Sequence, residues 1–225
     1  MGTKHSPLPE LVDEAPELWD TGYAEVTRRL LTAGVRCFAS NGFHATTTRD
    51  ITKTAGLSPA ALYVHFASKE EVLFEIIRTG HESSLEVVRE TEATSDPTAY
   101  LKALVARFVT WHARHHVVGR VSQYELSALT AEHYEVIVGL RQQTTAVFHE
   151  AIRWGMRDGE AFGVVDAHRV VRAILSLGVD LVRWYRLDGP DTPEQLGHFY
   201  AELALGMVTA AGHASLPKEN GALPA

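Results

Sequence analysis

The sequence predicts an all-α protein, with a compact N-terminal unit of three helices followed by a larger helical unit. Apolar residues recur at helical spacing through nearly all of the 225 residues, and capping residues or glycines separate the periodic stretches. No stretch alternates apolar and polar residues as a half-buried strand does, and no segment repeats. The division falls near residue 67, so we call residues 21–67 the head and residues 68–212 the body.

The first two helices of the head follow from periodicity and caps. Apolar residues share one face over residues 22–40, and Gly42 ends that helix as a left-handed C-terminal cap. A short helix is predicted over 48–54. Thr47 is its N-cap and Asp50 is the acidic partner of a capping box.

The third head helix and the body helices have equally clear starts. Ser58 caps a helix that begins at Pro59, where no hydrogen-bond donor is missed, and extends to about residue 65. Ser68 opens the first body helix as part of a second capping box with Glu71, and Asp96 precedes the next helix. The predicted body helices cover residues 69–92, 97–116, 120–130, 133–157, 166–187 and 193–211.

The formal net charge of −7 is unevenly distributed. Residues 1–20 carry five acids and one lysine, whereas residues 21–69 carry six basic and two acidic residues, a balance of +4. A basic head on an acidic body is typical of a chain that presents one end to a polyanion, although a local fluctuation of charge explains it as well. Residues 1–20 and 213–225 are expected to be disordered.

Composition excludes several classes of protein. The one cysteine, Cys37, excludes an intrachain disulfide and a four-cysteine zinc site. There is no apolar run long enough to span a membrane and no secretory signal, so we expect a soluble cytoplasmic protein without a membrane partner.

The sequence TTRDITKTAGLSPAALYVHF, residues 47–66, carries the strongest functional signal. It predicts two short helices joined by a tight turn at Gly56, the second beginning with small residues that allow close approach to a surface. Backbone N–H groups at such a helix start suit phosphate oxygens. Ile51, Ala55, Leu57 and Leu62 are spaced to pack the two helices together. This is the pattern of a helix-turn-helix, whose second helix enters the major groove of DNA.

Residues 30–73 resemble the DNA-binding domain of the TetR family of bacterial transcriptional regulators. The resemblance includes the Phe38…Gly42-Phe43 corner, the Ala45-Thr46-Thr47 entry, Arg49-Asp50-Ile51, the Ala55-Gly56 turn, Leu62-Tyr63…Phe66 and Ser68-Lys69-Glu70-Glu71. It implies a three-helix DNA-binding domain at residues 21–67 and a ligand-binding and dimerisation domain at residues 68–212.

The resemblance also implies roles for individual residues. The DNA-facing set is Thr47, Thr48, Arg49, Ser58, Pro59, Ala60, Ala61, Tyr63, His65 and Lys69. Thr47, Tyr63 and Lys69 would contact phosphates, whereas Arg49 and the start of the second helix would lie nearest the bases. Pro59-Ala60-Ala61 replaces the polar or glycine-containing triplet frequent in the family. We therefore expect sequence reading to depend on Arg49, on methyl contacts to thymine and on DNA shape.

TetR-like proteins are homodimers, and the body supports the same expectation here. Residues 170–185 and 196–208 are apolar on more than one helical face and must be buried on more than one face. Burial inside one subunit explains this, but packing against a two-fold partner is the preferred interpretation. The predicted interface comprises Ile174, Gly178, Leu181, Val182, Tyr185, Leu196, Tyr200, Leu203 and Met207.

The stretch from Leu181 to Leu196 resembles a subgroup of actinobacterial TetR regulators of lipid and steroid breakdown. That resemblance implies a small hydrophobic or CoA-thioester effector, such as an acyl-CoA or another lipid-derived acid. The candidate pocket residues are Phe108, Trp111, His112, His115, Tyr124, Phe148, His149, Ile152 and Trp154, although core packing explains each aromatic equally simply. Arg107, Arg114 and Arg120 could serve an anionic ligand, with solvation at the surface the simpler interpretation.

The sequence carries no sign of catalysis or of a cofactor. His112, His115 and His116 share a helical face, but no carboxylate or cysteine stands at ligand spacing, so no metal site is predicted. Phosphate-loop, nucleophile-elbow and zinc-protease motifs are missing, so we expect no enzyme. The leading hypothesis is a homodimeric repressor that a small molecule releases from a palindromic operator. The alternatives are an activator of the same family and a helical small-molecule-binding protein or enzyme.

Overall fold

A computed structural model describes residues 16–19, 22–92, 94–157, 161–163 and 166–210. Across these ranges the chain forms ten α-helices and two short 3-10 segments, with no strand. The helices are α1 (Pro16–Trp19), α2 (Glu25–Ala45), α3 (Thr48–Thr54), α4 (Pro59–His65), α5 (Lys69–Arg89), α6 (Pro97–Arg114), α7 (His116–Tyr124), α8 (Ala131–Arg157), α9 (Ala167–Asp180) and α10 (Pro193–Ala210). The all-α prediction is confirmed. The disorder expected for 1–20 and 213–225 falls almost wholly outside the described residues.

The head follows its local signals, except that Ser58 precedes α4 without the predicted side-chain cap hydrogen bond. The chain leaves helical geometry at Gly42, whose φ of 77° suits glycine, and the corner to α3 follows. Thr47 and Asp50 form the predicted capping box with both reciprocal hydrogen bonds. The second predicted box is only half formed. Ser68 accepts from the Glu71 N–H, but the Glu71 carboxylate accepts from the N–H of Ala67 instead of that of Ser68.

Two apolar cores hold the molecule together. The first joins the head to α5, α7 and the start of α8, and it includes Trp19, Phe38, Ile51 and Leu62. The second lies wholly in the body, among α5, α6, α8, α9 and α10. Helices α5 and α8 contribute to both cores, so both connect the head to the body.

The body helices break earlier than their apolar periodicity predicts. The helix expected over 120–130 is α7 followed by a 3-10 segment at Leu126–Ala128. The helix expected over 166–187 ends at Asp180, and a 3-10 segment follows at Leu181–Arg183. In both places a turn of 3-10 helix follows the α-helix, and its apolar side chains still pack against a core.

Most of the predicted dimer interface is buried inside one subunit. Ile174, Gly178, Leu181, Val182, Tyr185 and Leu196 are all buried in the body. The close approach at Gly178 is made to Phe108 of α6, since a Cβ at Gly178 would lie 2.8 Å from that ring. These six positions are therefore corrected to core residues. The large apolar side chains that remain exposed on the C-terminal part are Leu177, Trp184, Phe199 and Leu203, and Tyr200 and Met207 are half-buried.

Candidate nucleic-acid interface and ligand cavity

The turn between α3 and α4 is held by an arginine from α2. The Arg29 guanidinium donates two hydrogen bonds to the Ala55 carbonyl, at 3.1 and 2.6 Å, and a third to the Gly56 carbonyl at 3.3 Å. Gly56 itself has a φ of 65°, and a Cβ there would lie 3.1 Å from the guanidinium. This clamp fixes the angle between the two helices. Sequence reasoning found the glycine but missed Arg29, because its exposed position on α2 gave no sign of a partner.

Helix α4 presents an exposed face. Ser58, Pro59 and Ala60 are exposed at its start, Ala61 is half-buried, and Tyr63 and Val64 are 61% and 79% exposed. Its inner side is fixed by the fully buried Leu62. The structure thus places the start of the second helix where a second molecule can reach it.

The side chains around α4 support one another at the surface. Thr48 and Tyr63 share a hydrogen bond of 3.3 Å between their hydroxyls, and His65 Nδ1 lies 3.2 Å from the Thr27 hydroxyl. Thr47 and Arg49 are exposed at the start of α3. One surface therefore contains the predicted residues of both short helices.

Lys69 departs from the predicted set. Its ammonium donates to the carbonyls of Phe43 and Thr46, at 2.6 and 2.7 Å, and stands 4.0 Å from the centroid of the Phe43 ring. Burial lowers the pKa of this lysine. Its phosphate contact is therefore corrected to a structural role, because these contacts hold the corner between α2 and α3.

Two side chains of α7 and its C-terminal end reach the same corner from the body. The Glu125 carboxylate accepts from the Phe43 N–H at 3.1 Å, and the Arg120 guanidinium donates to the Ala39 carbonyl at 3.3 Å. The N–H of Phe43 is available because the chain has just left helical geometry at Gly42. Glu125 is thus a direct connection between the body and the corner that precedes α3.

The start of α5 is fixed to α8 as well. The Glu70 carboxylate accepts from the Thr130 N–H at 3.0 Å and lies 2.9 Å from His133 Nδ1. The His133 ring is stacked on Phe74, with centroids 3.8 Å apart. The body therefore contacts the head-proximal end of α5 through a compact polar and aromatic cluster.

A cavity of about 540 Å³ lies among α5, α6, α7, α8 and α9. Four of the predicted pocket residues line it: Phe108, Trp111, His112 and Tyr124. Its wall includes Ser122, Gln123 and Tyr124, which immediately precede Glu125 along the chain. The cavity and the head corner are therefore contacted by successive residues of one segment.

The polar side of this cavity contains two histidines, Arg141 and the ion pair of Arg183 with Asp180. Burial, helped by the charge of Arg141, lowers the pKa of His81 to about 3, and burial lowers that of His112 to about 4. Both imidazoles are therefore neutral at pH 7. Burial also lowers the pKa of Arg141, which nevertheless stays charged.

The other predicted pocket residues lie elsewhere. His115 lines a second, more open cavity of about 1120 Å³ beside α1, α5 and α6. Phe148 and Ile152 are fully buried core residues, the His149 ring contacts that of His168, and the Trp154 ring contacts that of Tyr100. These five predicted pocket residues therefore do not line the 540 Å³ cavity.

Sequence reasoning missed the two arginines that line the 540 Å³ cavity, Arg141 and Arg183. The three candidates are engaged elsewhere, since Arg107 donates to the Val87 carbonyl, Arg114 pairs with Glu194, and Arg120 contacts the head. Arg141 faces the cavity from α8. Arg141 lies one helical turn from Ile137 and from Thr144, which are both buried. That spacing is the one signal in the sequence that could have placed Arg141 on the inner face of α8.

Two absences hold for the described part of the chain. No helix there is long and apolar enough to cross a membrane. No three histidine, cysteine, aspartate or glutamate side chains cluster there as metal ligands.

Comparison with known proteins matches both halves of the chain. Residues 30–76 match the family described as "Bacterial regulatory proteins, tetR family", and residues 94–208 match "Tetracyclin repressor-like, C-terminal domain". The HTH-type transcriptional repressor KstR2 of Mycobacterium tuberculosis is 31% identical over 185 residues, which are 81% of this chain and 92% of that protein.

Solved structures agree with the sequence comparison. A bacterial regulatory protein in the tetR family from Rhodococcus RHA1 superposes with a TM-score of 0.78 at 36% identity, covering 83% of this chain and 98% of its own. The structure described as that of the ketosteroid transcriptional regulator KstR2 of Mycobacterium tuberculosis gives a TM-score of 0.75 at 29% identity, over 84% and 97% of the two chains.

Proposed function

The chain belongs to the TetR family of bacterial regulatory proteins, and from that membership we propose that it is a homodimeric repressor released from a palindromic operator by a small molecule. The observation that carries the proposal is the exposed start of α4, fixed to α3 by the Arg29 clamp. A helix held at a set angle with small residues at its N-terminus fits the major groove. Repression, rather than activation, is favoured because the KstR2 relatives are named repressors.

The DNA surface would use the residues around α3 and α4. Arg49 is an exposed cationic side chain in the first turn of α3, so it is assigned to base edges or to the adjoining backbone. Thr47 and Tyr63 would donate to phosphates through their hydroxyls. Pro59, Ala60 and Ala61 would contact the groove by shape and through thymine methyl groups.

The dimer would form through the exposed apolar side chains of the C-terminal part. Phe199 and Leu203 lie one turn apart on α10 and are 58% and 43% exposed. A Cβ at Gly206, farther along that helix, would meet nothing within 4 Å, so a partner helix can approach it closely. Two-fold pairing on this face would place two α4 helices about 34–36 Å apart, one turn of DNA.

The effector would occupy the 540 Å³ cavity, whose size lies within the range of small-molecule pockets. A small hydrophobic or CoA-thioester ligand fits its Phe108 and Val179 walls, with an acyl or ring portion inside. The segment that lines the cavity continues into Glu125 and thus into the head corner. Release requires the ligand to bind the DNA-incompetent arrangement more tightly, since equal affinity shifts nothing.

The test begins with selection of duplexes from a random pool by the full chain, followed by fluorescence anisotropy of the best duplex over a salt series. We expect a palindromic site, a dimer of twice 24.8 kDa in light scattering, and a steep fall of affinity with salt. Arg49→Ala should weaken binding by about 1–3 kcal/mol and relax the selected sequence. Arg89→Ala, an exposed arginine of α5 remote from α4, is the matched control. A monomer that ignores every duplex at low salt would overturn the proposal.

A further inference from the structure

The cavity carries one positive charge without a counter-ion. At its rim Asp180 and Arg183 are paired at 3.3 Å, so their charges offset each other. Arg141 has no such partner: within the described residues no carboxylate lies within the 4.0 Å of an ion pair. Its one side-chain hydrogen bond in that range is a long one of 3.4 Å to the Gln123 carboxamide.

Two uncharged polar atoms in the wall of the same cavity also lack partners. The Nε2 atom of His81 and the hydroxyl of Ser84 are buried and have no protein hydrogen-bond partner among the residues that the structure describes. Both residues line the cavity, and Ser84 is only 4% exposed. Burying a polar atom without a hydrogen-bond partner is unfavourable, so two such atoms in one cavity favour a ligand that supplies the missing bonds.

Neighbouring groups do not neutralise the arginine. The nearest titratable groups are the phenol of Tyr134 and the imidazoles of His81 and His112, and both imidazoles stay neutral because they are buried. The rest of the wall is largely apolar, with Phe108, Leu175 and Val179. The cavity therefore pairs an apolar side with a fixed cation and two unsatisfied hydrogen-bonding atoms.

We propose that Arg141 is the anion-binding residue of the effector cavity, and that the effector is an organic acid whose anionic group pairs with this guanidinium. Its apolar part lies against Phe108 and Val179, and a carbonyl or hydroxyl near the anion bonds to His81 and Ser84. The inference rests on the proposed effector-binding role and adds to it the ligand's charge and its counter-ion. The anion is a carboxylate or, in a CoA thioester, a phosphate.

The test compares two fluorescent probes that differ by one charged group. Anilinonaphthalene sulfonate carries an anion, and N-phenylnaphthylamine is the same ring system without it. Both are titrated into the full chain in the absence of DNA, so the result does not depend on operator binding. Arg141→Met and Arg141→Gln remove the charge, Arg141→Lys keeps it, and Arg89→Met makes the same change on an exposed arginine outside the cavity.

We expect the two neutral variants to lose about tenfold or more in affinity for the sulfonate and to keep the affinity for N-phenylnaphthylamine within about twofold. Arg141→Lys and Arg89→Met should bind the sulfonate nearly as wild type does. The uncharged probe reports that the cavity persists, and Arg141→Gln keeps the test decisive should Arg141→Met fold poorly. Equal loss of both probes, or unchanged sulfonate affinity in the neutral variants, would overturn the proposal.

Displacement of the sulfonate then identifies the source of the anion. Decanoate displacing it from wild type, with methyl decanoate ineffective, assigns a carboxylate, whereas free coenzyme A displacing it assigns a phosphate. Displacement by methyl decanoate as strong as by decanoate would contradict an anion site. A chain that binds the sulfonate through Arg141 but ignores DNA would refute the regulatory proposal and leave this one standing.

Discussion

The hydrogen bond from the Phe43 N–H to the Glu125 carboxylate allows a sharp test of how the body holds the head. Its length is 3.1 Å, the acceptor is charged, and the site is partly buried. A hydrogen bond to a charged group contributes about 1.5–3 kcal/mol to the free energy of unfolding. Water reaches a partly buried N–H once the acceptor is removed, so we expect Glu125→Ala to lower the free energy of unfolding by about 1–2 kcal/mol. For a chain of this size, that lowers Tm by roughly 2–8 °C.

Two variants separate this bond from general effects of charge. Glu125→Gln keeps an oxygen acceptor without the charge and should lose about half as much, because neutral hydrogen bonds are about half as strong. Glu135→Ala removes an exposed carboxylate from α8 and should leave Tm unchanged.

Hydrogen exchange measures the same bond locally. In Glu125→Ala the amide of Phe43 should exchange faster, while amides of α9 keep the wild-type rate, because the lost bond joins the body only to the corner before α3. If Glu125→Ala melts within about 1 °C of wild type and the Phe43 amide exchanges as before, the connection assigned to Glu125 does not hold in solution.

Three further outcomes follow from packing and ionisation. A Cβ at Gly197 would lie 2.7 Å from the Ala106 carbonyl oxygen, so Gly197→Ala should lower the free energy of unfolding in urea by about 1–3 kcal/mol, whereas Gly139→Ala on α8, with open space, should not. Burial lowers the pKa of His112 to about 4, so the contribution of this group to stability is full above pH 6.5 and is lost as pH falls towards 4. The pKa values of His81 and His115 are lowered as well, so His112→Phe should reduce the slope of that part of a pH–stability curve without abolishing it. Phe199→Asp should convert a dimer to monomers in light scattering without lowering Tm of the subunit, because that ring is 58% exposed; a dimer that survives would contradict the assigned face.

The head was predictable because its determinants are local. The bounds of α3 and α4 match the prediction, since the Thr47–Asp50 capping box, the left-handed Gly56 and Pro59 each act within a few residues. The role of Lys69 was not predictable from the same segment. Its partners are backbone carbonyls at a corner whose geometry depends on the φ of Gly42.

The body was harder because its determinants are contacts between distant helices. An apolar helix face has the same sequence pattern whether it packs inside one subunit or against a partner, so Gly178 could be assigned only after its contact with Phe108 was known. Arg141 shows the complementary difficulty. A lone arginine on a long helix is usually solvated, and its position in a cavity depends on α5, α7 and α9 together.

In the proposed repressor, Glu125 offers a route by which the effector acts on the head. Tyr124 lines the cavity and Glu125 bonds to the head corner, so a ligand that displaces the end of α7 also changes the geometry of that bond. A helix moves as a unit, and a shift of about one ångström lengthens a hydrogen bond of 3.1 Å beyond bonding distance. The energy available for this step is about that of one charged hydrogen bond, roughly 1–3 kcal/mol, which is the usual size of coupling between two sites. Regulation through this corner therefore needs no unfolding of the head. Such regulation requires only a ligand whose affinity differs between two positions of the Tyr124 side chain.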